Sequence, residues 1–227
     1  MLVRLSGHSG AGKSRLIAAL PGRQITCPRT VLYTSRPRRD EEQHGSDYYF
    51  LSRAVIAALP TSDFYVGPVR EMLQAVDLSQ LEDDLLSGSL VMVEIFADLW
   101  PGLIKRLDER MQRSVPNVSV FMTAVDPHTI SVQPEPRRRE FIQAEVERIL
   151  TWRGKDSADK IKPRARSAVG EILTALGPDG SRLYTRVFHS SPEGPTGQDE
   201  WTQNSEPTGT AKRVLDEFIS FYRSIAP

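Results

Sequence analysis

The sequence predicts an α/β fold in which a parallel sheet is flanked by helices. Three short apolar runs, at 2–5, 89–96 and 117–122, indicate buried strands, and helical patterns separate them. Continuous apolar runs are typical of strands covered on both faces, and alternating strands and helices are typical of a parallel sheet. The chain has 227 residues, of which 39% are hydrophobic and 26% charged, so we expect a single domain at 1–227 with smaller inserts.

The chain up to Pro60 is predicted to contain two strands and two helices. A glycine-rich turn after the opening strand leads into a helix that Pro21 and Gly22 end. Aromatic residues beginning at Tyr48 favour a second strand, and Pro60 ends a second helix. In order, the elements are a strand at 2–5, a helix at 13–20, extended chain at 23–35, a polar loop at 36–47, a strand at 48–51 and a helix at 52–59.

Helices and strands continue to alternate beyond position 77. Gly88 separates a helix from an apolar strand, and Pro101 suits the first turn of the next helix. In order, the elements are a helix at 78–86, a strand at 89–96, a helix at 101–111, a strand at 117–122, helices at 136–152 and 158–176, a strand at 184–189, a long loop at 190–209 and a helix at 211–222. The helices at 136–152 and 158–176 are highly charged with few apolar positions, which favours a surface lid over a core layer.

Composition and charge exclude several classes of protein. Lys plus Arg and Asp plus Glu both number 29, so no global field favours a nucleic-acid polymer or an anionic membrane surface. Cys27 is the only cysteine, which excludes an intrachain disulfide and indicates a reducing compartment. No signal peptide and no run of 18 apolar residues is evident. We therefore expect a soluble cytoplasmic protein.

The segment GHSGAGKS at 7–14 satisfies the phosphate-loop pattern G-x-x-x-x-G-K-[ST], directly between a predicted strand and a predicted helix. Glycines let the backbone wrap around phosphate oxygens, and Lys13 and Ser14 are expected to reach the β and γ phosphates and Mg²⁺, respectively. The alternative is a chance glycine-rich turn, which a chain of this length contains with a probability on the order of 1%. The residues expected to bind ATP are Gly7, Ser9, Gly10, Ala11, Gly12, Lys13 and Ser14.

A second cluster of charged and aromatic residues lies at 34–50. Arg36, Arg38 and Arg39 offer planar guanidinium groups that can hold a phosphate dianion, and the Tyr48 hydroxyl can complete its shell. A solvated basic turn is the alternative.

This segment, TSRPRRDEEQHGSDYYF, resembles the acceptor-site signature of the guanylate kinase family, approximately T-T-R-x-P-R-x-G-E-x-x-G-x-D-Y-x-F. The positions that match without a gap are Arg36, Arg39, Glu42, Gly45, Asp47, Tyr48 and Phe50. The resemblance implies that Arg36, Arg39 and Tyr48 hold the phosphate of GMP, with Glu42 in the same site.

The segment RILTWRGKDSADKIKPRARSAVGEI at 148–172 resembles the family's lid. The resemblance places Arg153 and Arg164 where the family has two arginines that fold over the ATP phosphates, and we expect these two and Lys13 to be catalytic. Such arginines meet charge on the transferring group. Each could instead be an ordinary helix-surface arginine.

Glu94 is the only charged residue in its predicted strand and matches the first acid of the family's L-D-I-D strand end. It could orient waters of Mg²⁺, which makes Ser14 and Glu94 the expected metal-site residues. A structural ion pair is the alternative.

The chain departs from the family at two positions and in one segment, because the family's acidic residue followed by Y-G-[ST] has no clear counterpart at 69–81. Leu32 replaces a serine, and Phe96 replaces the second acid of L-D-I-D. Glu71 could supply an acidic contact to the base, and Asp77 or Ser79 a polar one. Segments 131–147 and 190–209 resemble insertions.

The resemblance implies a P-loop NTPase-type sheet with a small acceptor-binding insert and a helical lid, acting as an enzyme with Mg²⁺ that converts ATP and GMP to ADP and GDP. The predicted subregions are a core at 1–31, 88–135 and 170–227, an acceptor-binding part at 32–87 and a lid at 136–169. One alternative keeps this machinery but uses another nucleotide or phosphate ester, because fold does not determine substrate. The other is a catalytically inactive binding module. Oligomeric state stays open.

Overall fold

The computed structural model describes residues 1–28, 30–40, 42–69, 71–88, 90–154, 156–190, 201 and 207–225. The strands are β1 (Leu2–Gly7), β2 (Tyr33–Thr34), β3 (Tyr49–Phe50), β4 (Phe64–Val69), β5 (Met72–Asp77), β6 (Val91–Val93), β7 (Asn117–Thr123) and β8 (Arg186–His189). The helices are α1 (Lys13–Ala19), α2 (Arg53–Ala57), α3 (Leu78–Leu86), α4 (Trp100–Met111), α5 (Pro127–Val132), α6 (Glu135–Arg153), α7 (Ala158–Leu176), α8 (Gly180–Leu183) and α9 (Gly209–Ile225).

The chain forms two compact units. Unit 1 comprises Met1–Arg4 and Ile25–Val118, and unit 2 comprises Leu5–Gln24 and Ser119–Pro227. A four-stranded parallel sheet has the order β6-β1-β7-β8, with β1 paired to β6 and β7 paired to β8. The predicted α/β fold with a parallel sheet is therefore confirmed.

Unit 1 contains a second, mixed sheet with the order β3-β2-β5-β4. Here β2 pairs with β3 in parallel and with β5 antiparallel, and β4 pairs with β5 antiparallel. The sequence predicted neither β4 nor β5, because Gly67 and Pro68 are typical strand breakers. Pro68 is tolerated since β4 is an edge strand, where a missing N–H costs no ladder hydrogen bond.

Unit 2 contradicts the expectation that α6 and α7 form a surface layer. Both helices contribute to a buried cluster that includes Ile142, Val146 and Ile149 of α6 and Ala168 and Ile172 of α7. These apolar positions are few, but they recur every three or four residues and so share one face of each helix. Their small number misled the prediction, and their spacing determines the packing.

Two local expectations change, and a third gains detail. The chain expected to be extended at 23–35 includes the short strand Tyr33–Thr34. The strand expected at 89–96 is confined to Val91–Val93, so Glu94 follows the strand. The helix Pro127–Val132 was missed, although Asp126 caps it by accepting a hydrogen bond from the His128 N–H at 3.0 Å.

Most of the loop expected at 190–209 lies outside the described residues. Within the part of the chain that the structure describes, no helix is long and apolar enough to cross a membrane.

Two glycines of unit 2 should respond oppositely to alanine. Gly170 is exposed inside α7. Apart from its chain neighbours and the adjacent backbone of α7 itself, no described atom lies within 4 Å of the place that a Cβ would take, so Gly170→Ala should raise the unfolding free energy by about 0.5–1 kcal/mol. Gly180→Ala should lower it by about 1–3 kcal/mol, because the new Cβ would overlap the Ala175 carbonyl oxygen. Urea unfolding of both variants and the unmodified chain measures this. Equal shifts would contradict the packing around α7 and α8.

Candidate active site

The phosphate loop of unit 2 joins β1 to α1, in the strand-loop-helix setting that the motif requires. Gly7 has a φ of +145°, and a Cβ there would overlap the Met122 carbonyl oxygen. Gly12, immediately before α1, has a φ of +86°. Both positions therefore need glycine, since side chains rarely adopt these backbone angles.

Lys13 and Ser14 open α1 at the end of this loop. The Lys13 Nζ donates hydrogen bonds to the carbonyl oxygens of Gly7 at 2.6 Å and His8 at 3.2 Å. Its ammonium group therefore lies along the loop backbone that the motif uses to surround phosphates. The Ser14 side chain is exposed in the first turn of the helix.

The remaining loop residues lie close to other parts of unit 2. A Cβ added at Gly10 would lie 3.2 Å from Ile149 Cγ2 of α6, and one added at Gly12 would lie 3.2 Å from Trp201 Nε1. Ala11 is buried. The Trp201 Nε1 donates to Ser190 Oγ at 3.0 Å. Trp201 was missed as a neighbour of the loop, because its segment carries only turn-forming signals.

His8 holds the loop between two backbone groups. Its Nδ1 donates to the Ser9 carbonyl oxygen at 2.7 Å, and its Nε2 accepts from the Ala124 N–H at 2.9 Å. Burial, with a smaller contribution from the charge of Lys13, lowers the pKa of His8 to about 4, although the hydrogen bond to Ser9 acts in the opposite direction. The imidazole is therefore neutral at physiological pH, which these two hydrogen bonds require.

Arg153 and Arg164 of unit 2 share one carboxylate. Arg153 Nη2 lies 3.4 Å from Asp156 Oδ2, and Arg164 donates from Nη1 to Asp156 Oδ1. The Asp156 side chain is only 3% exposed. The sequence prediction missed Asp156, although its place between the two arginines was a usable signal. Asp156 thus holds the two guanidinium groups close to each other.

In unit 1, Glu42 organises the arginines expected to bind the acceptor. Both Arg36 Nη atoms donate to the Glu42 carboxylate, and the Arg39 backbone N–H donates to Glu42 Oε2 at 2.9 Å. Arg39 Nη1 lies 3.6 Å from Oε1. Burial alone would raise the pKa of Glu42, but the hydrogen bonds and charges of the two arginines lower it. Glu42 therefore stays ionised and orients Arg36 and Arg39.

Aromatic rings support the same cluster. The Arg36 guanidinium carbon lies 4.9 Å from the Tyr48 ring centroid and 5.1 Å from that of Phe50. Such cation–π contacts favour a fixed guanidinium plane. Asp47 accepts a hydrogen bond from the Gln43 N–H at 2.8 Å, which closes the loop before Tyr48.

The other acidic and polar candidates of unit 1 are placed differently. Glu71 is exposed in the turn between β4 and β5. Asp77 caps α3 by accepting from the Ser79 and Gln80 N–H groups, and Ser79 Oγ accepts from Arg110 Nη2 at 2.9 Å. Asp77 and Ser79 are therefore engaged in the local structure, and neither joins the Arg36 cluster through these contacts.

Four further residues of unit 1 are relevant to the assignment of the site. Leu32 is 2% exposed and belongs to the buried cluster of this unit, whereas Phe96 is exposed. Glu94 directly follows β6, and its Oε1 is buried. Burial raises the pKa of the Cys27 thiol to about 12, which leaves this cysteine without nucleophilic character.

The fold and the loop at 7–14 define a P-loop α/β protein with a second, smaller sheet, near which Arg36 and Arg39 pair with Glu42. A model of the guanylate kinase family matches residues 1–67. The guanylate kinase of Pasteurella multocida (strain Pm70) is 31% identical over 175 residues, covering 74% of this chain and 72% of that protein. The guanylate kinase of Alkalilimnicola ehrlichii is 32% identical over 178 residues, with the same coverage.

A solved structure agrees at the level of fold. The crystal structure of guanylate kinase from Anaplasma phagocytophilum superposes with a TM-score of 0.55 and 16% identity, covering 100% of this chain and 86% of that one. The chain belongs to the guanylate kinase family.

The buried His8 makes stability depend on pH. The unfolded chain binds a proton near the ordinary histidine pKa of about 6.5, but the folded chain binds it only near pH 4, so the unfolding free energy falls as pH drops through this window. Replacing His8 by glutamine should remove about 2 kcal/mol of the loss between about pH 6.5 and about pH 5. Urea unfolding at both pH values measures this loss, and His128→Gln, at an exposed site, is the matched control. An unchanged loss in His8→Gln would contradict the buried neutral imidazole.

Proposed function

We propose that the protein is an Mg-ATP-dependent kinase that phosphorylates GMP, giving ADP and GDP. The observation that carries the proposal is that one chain combines a formed phosphate loop containing Lys13 with an acceptor cluster in which Glu42 already orients Arg36 and Arg39. The family relatives named above support the same activity, since each is described as a guanylate kinase. We place the reaction in the cytosol, in keeping with the single cysteine.

In the proposed reaction, an oxygen of the GMP phosphate forms a bond to the γ-phosphorus of ATP. The bond from that phosphorus to the β–γ bridging oxygen breaks, and ADP leaves with this electron pair. An ionised phosphate oxygen is already nucleophilic, so no general base is needed, and catalysis consists of positioning and charge neutralisation. Lys13 would bind the β and γ phosphates, while Arg153 and Arg164 would neutralise charge on the transferring group.

The acceptor phosphate would bind to Arg36, Arg39 and Tyr48. Guanidinium groups bind phosphate with two parallel hydrogen bonds when their planes are fixed, which Glu42 and the aromatic rings achieve for Arg36. Glu42 itself would act by holding the arginines rather than by touching the anion. Glu71 stays the proposed acidic contact of this part of the site.

The residues present fit a magnesium ion that is bound by few protein groups, as is usual in phosphoryl transfer. No group of three or more His, Cys, Asp or Glu side chains converges within the described ranges, so a cage made by the protein is not available there. Magnesium in such sites takes one or two protein oxygens and otherwise phosphates and waters. The exposed Ser14 hydroxyl is the proposed donor to the ion, and Glu94 is proposed to orient waters of Mg²⁺. When bound, the ion neutralises charge on the β and γ phosphates.

A second acceptor is favoured by one observation. Leu32, which stands where the family has a serine, is buried in the hydrophobic cluster and cannot hydrogen-bond a base. The same machinery acting on another nucleotide is therefore the main alternative. A binding module without catalysis is less consistent with the chain, because Lys13 is in place within the loop.

The first experiment measures ADP release from Mg-ATP with GMP, dGMP, AMP, CMP, UMP and dTMP in turn. We expect turnover with GMP, and a Lys13→Ala variant should lose at least about 100-fold in kcat because the charge on the β and γ phosphates is no longer met. Selective turnover of a different nucleotide would change the proposed acceptor but keep the proposed kinase activity. Unchanged turnover by Lys13→Ala would contradict the role of the phosphate loop.

A separate prediction concerns Asp156, the carboxylate that Arg153 and Arg164 share. Asp156→Asn should lower kcat by about 10-fold or more with little change in the KM for ATP, because Arg153 and Arg164 lose the charge that holds them together. The matched control is Asp159→Asn at the start of α7, which should behave like the unmodified protein. Steady-state kinetics of both variants measure the difference. A loss confined to the KM for ATP would show that Asp156 acts on ground-state binding instead.

A further inference from the structure

Gln74 in β5 carries a polar atom whose burial the fold does not explain. The residue is only 6% exposed, and its Oε1 is buried with no hydrogen-bond partner in the described structure. Burying an amide oxygen without a partner is unfavourable, and such atoms in native proteins generally serve a ligand, an ordered water or a catalytic role. The position of Gln74 in the sheet indicates which of these roles its side chain has.

Gln74 shares a face of the smaller sheet with the acceptor cluster. Thr34 of β2 pairs with Gln74 on one side and with Phe50 of β3 on the other, and directly paired residues point to the same face. Arg36, two residues beyond Thr34, lies over the rings of Phe50 and Tyr48. The phosphate-binding group and the unpartnered amide therefore lie on one face.

The opposite face is occupied by a different set of residues. Tyr33 and Tyr49, each adjacent in sequence to a member of the first set, stack with ring centroids 4.6 Å apart. Phe64 packs edge-on against Tyr33 at 5.2 Å. The alternation of the strands is thus regular, and the assignment of Gln74 to the face of Arg36 follows from it.

The surroundings of Gln74 combine polar and apolar groups as a base-binding site requires. On one side, Thr34 Oγ1 accepts a hydrogen bond from the Arg36 N–H at 3.3 Å, which leaves the hydroxyl proton available to donate. On the other side, Gly67 pairs with Gln74, and the Leu99 side chain occupies the space over Gly67. Ligand sites typically combine an apolar wall with a few placed polar groups.

The spacing along the sheet suits a nucleotide. Gln74 is one strand away from Thr34, about 5 Å, and Arg36 is two residues farther along, roughly 6.5 Å. A ribose separates the phosphate of a nucleotide from its base by a comparable span. A phosphate bound by Arg36 can therefore present its base toward Gln74.

We infer that the Gln74 side chain reads the base of the acceptor nucleotide. Its Oε1 accepts a hydrogen bond from a base N–H, and its Nε2 can donate to a neighbouring base oxygen. Guanine presents N1–H beside O6, which matches this pair of groups. The inference rests on the proposed function, because it assigns a residue to the acceptor site of that reaction, and it supplies a polar contact that Leu32 and Phe96 no longer provide.

The test replaces Gln74 by methionine, which has a similar shape but no amide. If the amide were only an imperfectly packed core group, its removal would stabilise the protein and leave catalysis unchanged. If it reads the base, the same variant loses acceptor recognition without losing stability. Gln80→Met is the matched control, because Gln80 is exposed on α3 of the same unit and its side chain donates to Asp84 Oδ1 at 3.1 Å, away from the Arg36 cluster.

We expect Gln74→Met to lower kcat/KM for GMP by about 10- to 100-fold, mainly through KM, with the KM for ATP unchanged. The ratio of kcat/KM for GMP to that for AMP should fall with it, whereas Gln80→Met should keep both values. The urea midpoint without nucleotide should equal or exceed that of the unmodified protein. Unchanged GMP constants in Gln74→Met would overturn the inference.

The outcome can be separated from failure of the proposed function. If the unmodified protein phosphorylates none of the nucleotides, the proposed function fails, and calorimetric titration with GMP alone then decides on Gln74. Weaker GMP binding by Gln74→Met than by Gln80→Met would support base recognition in a binding site. Equal binding, or none to the unmodified protein, would overturn it.

Discussion

Each of the two arginine pairs in this protein depends on one shared carboxylate. Like-charged guanidinium groups repel at short range, so a close pair of them needs a counter-charge. Each unit supplies one such carboxylate, Glu42 for Arg36 and Arg39 and Asp156 for Arg153 and Arg164. Their side chains are 11% and 3% exposed, so water screens these interactions weakly.

The same demand for preorganisation governs the phosphate loop by different means. Here the positive field comes from backbone N–H groups, which have to be held in an unusual conformation without a ligand. Glycines at positions 7 and 12 make that conformation accessible, and the buried neutral ring of His8 ties the loop to the end of β7. The Lys13 side chain donates hydrogen bonds to carbonyl oxygens of the loop, so its positive charge lies beside the loop backbone.

The sequence predicted the parts of this arrangement that rest on short motifs. The phosphate loop, the parallel sheet and the family follow from residues at constant spacing, which local patterns report directly. The sequence did not reveal β4 and β5, because an edge strand tolerates Gly67 and Pro68 for reasons that only pairing discloses. Nor did it reveal the buried contacts of α6 and α7, where a few well-spaced residues pack in place of a continuous apolar stripe.

In the proposed function, the choice of acceptor depends on different residues from those that bind its phosphate. Leu32 lies in the buried hydrophobic cluster, where its side chain packs and offers no hydrogen bond. A binding site discriminates between substrates when a wrong substrate leaves one of its buried polar groups without a hydrogen bond. A site that loses one such group therefore keeps its specificity only if another buried polar group lies nearby. The buried amide of Gln74 carries that cost in the empty protein, on the face of the sheet that holds Arg36. Specificity can therefore move from one strand to another while the phosphate-binding residues stay constant.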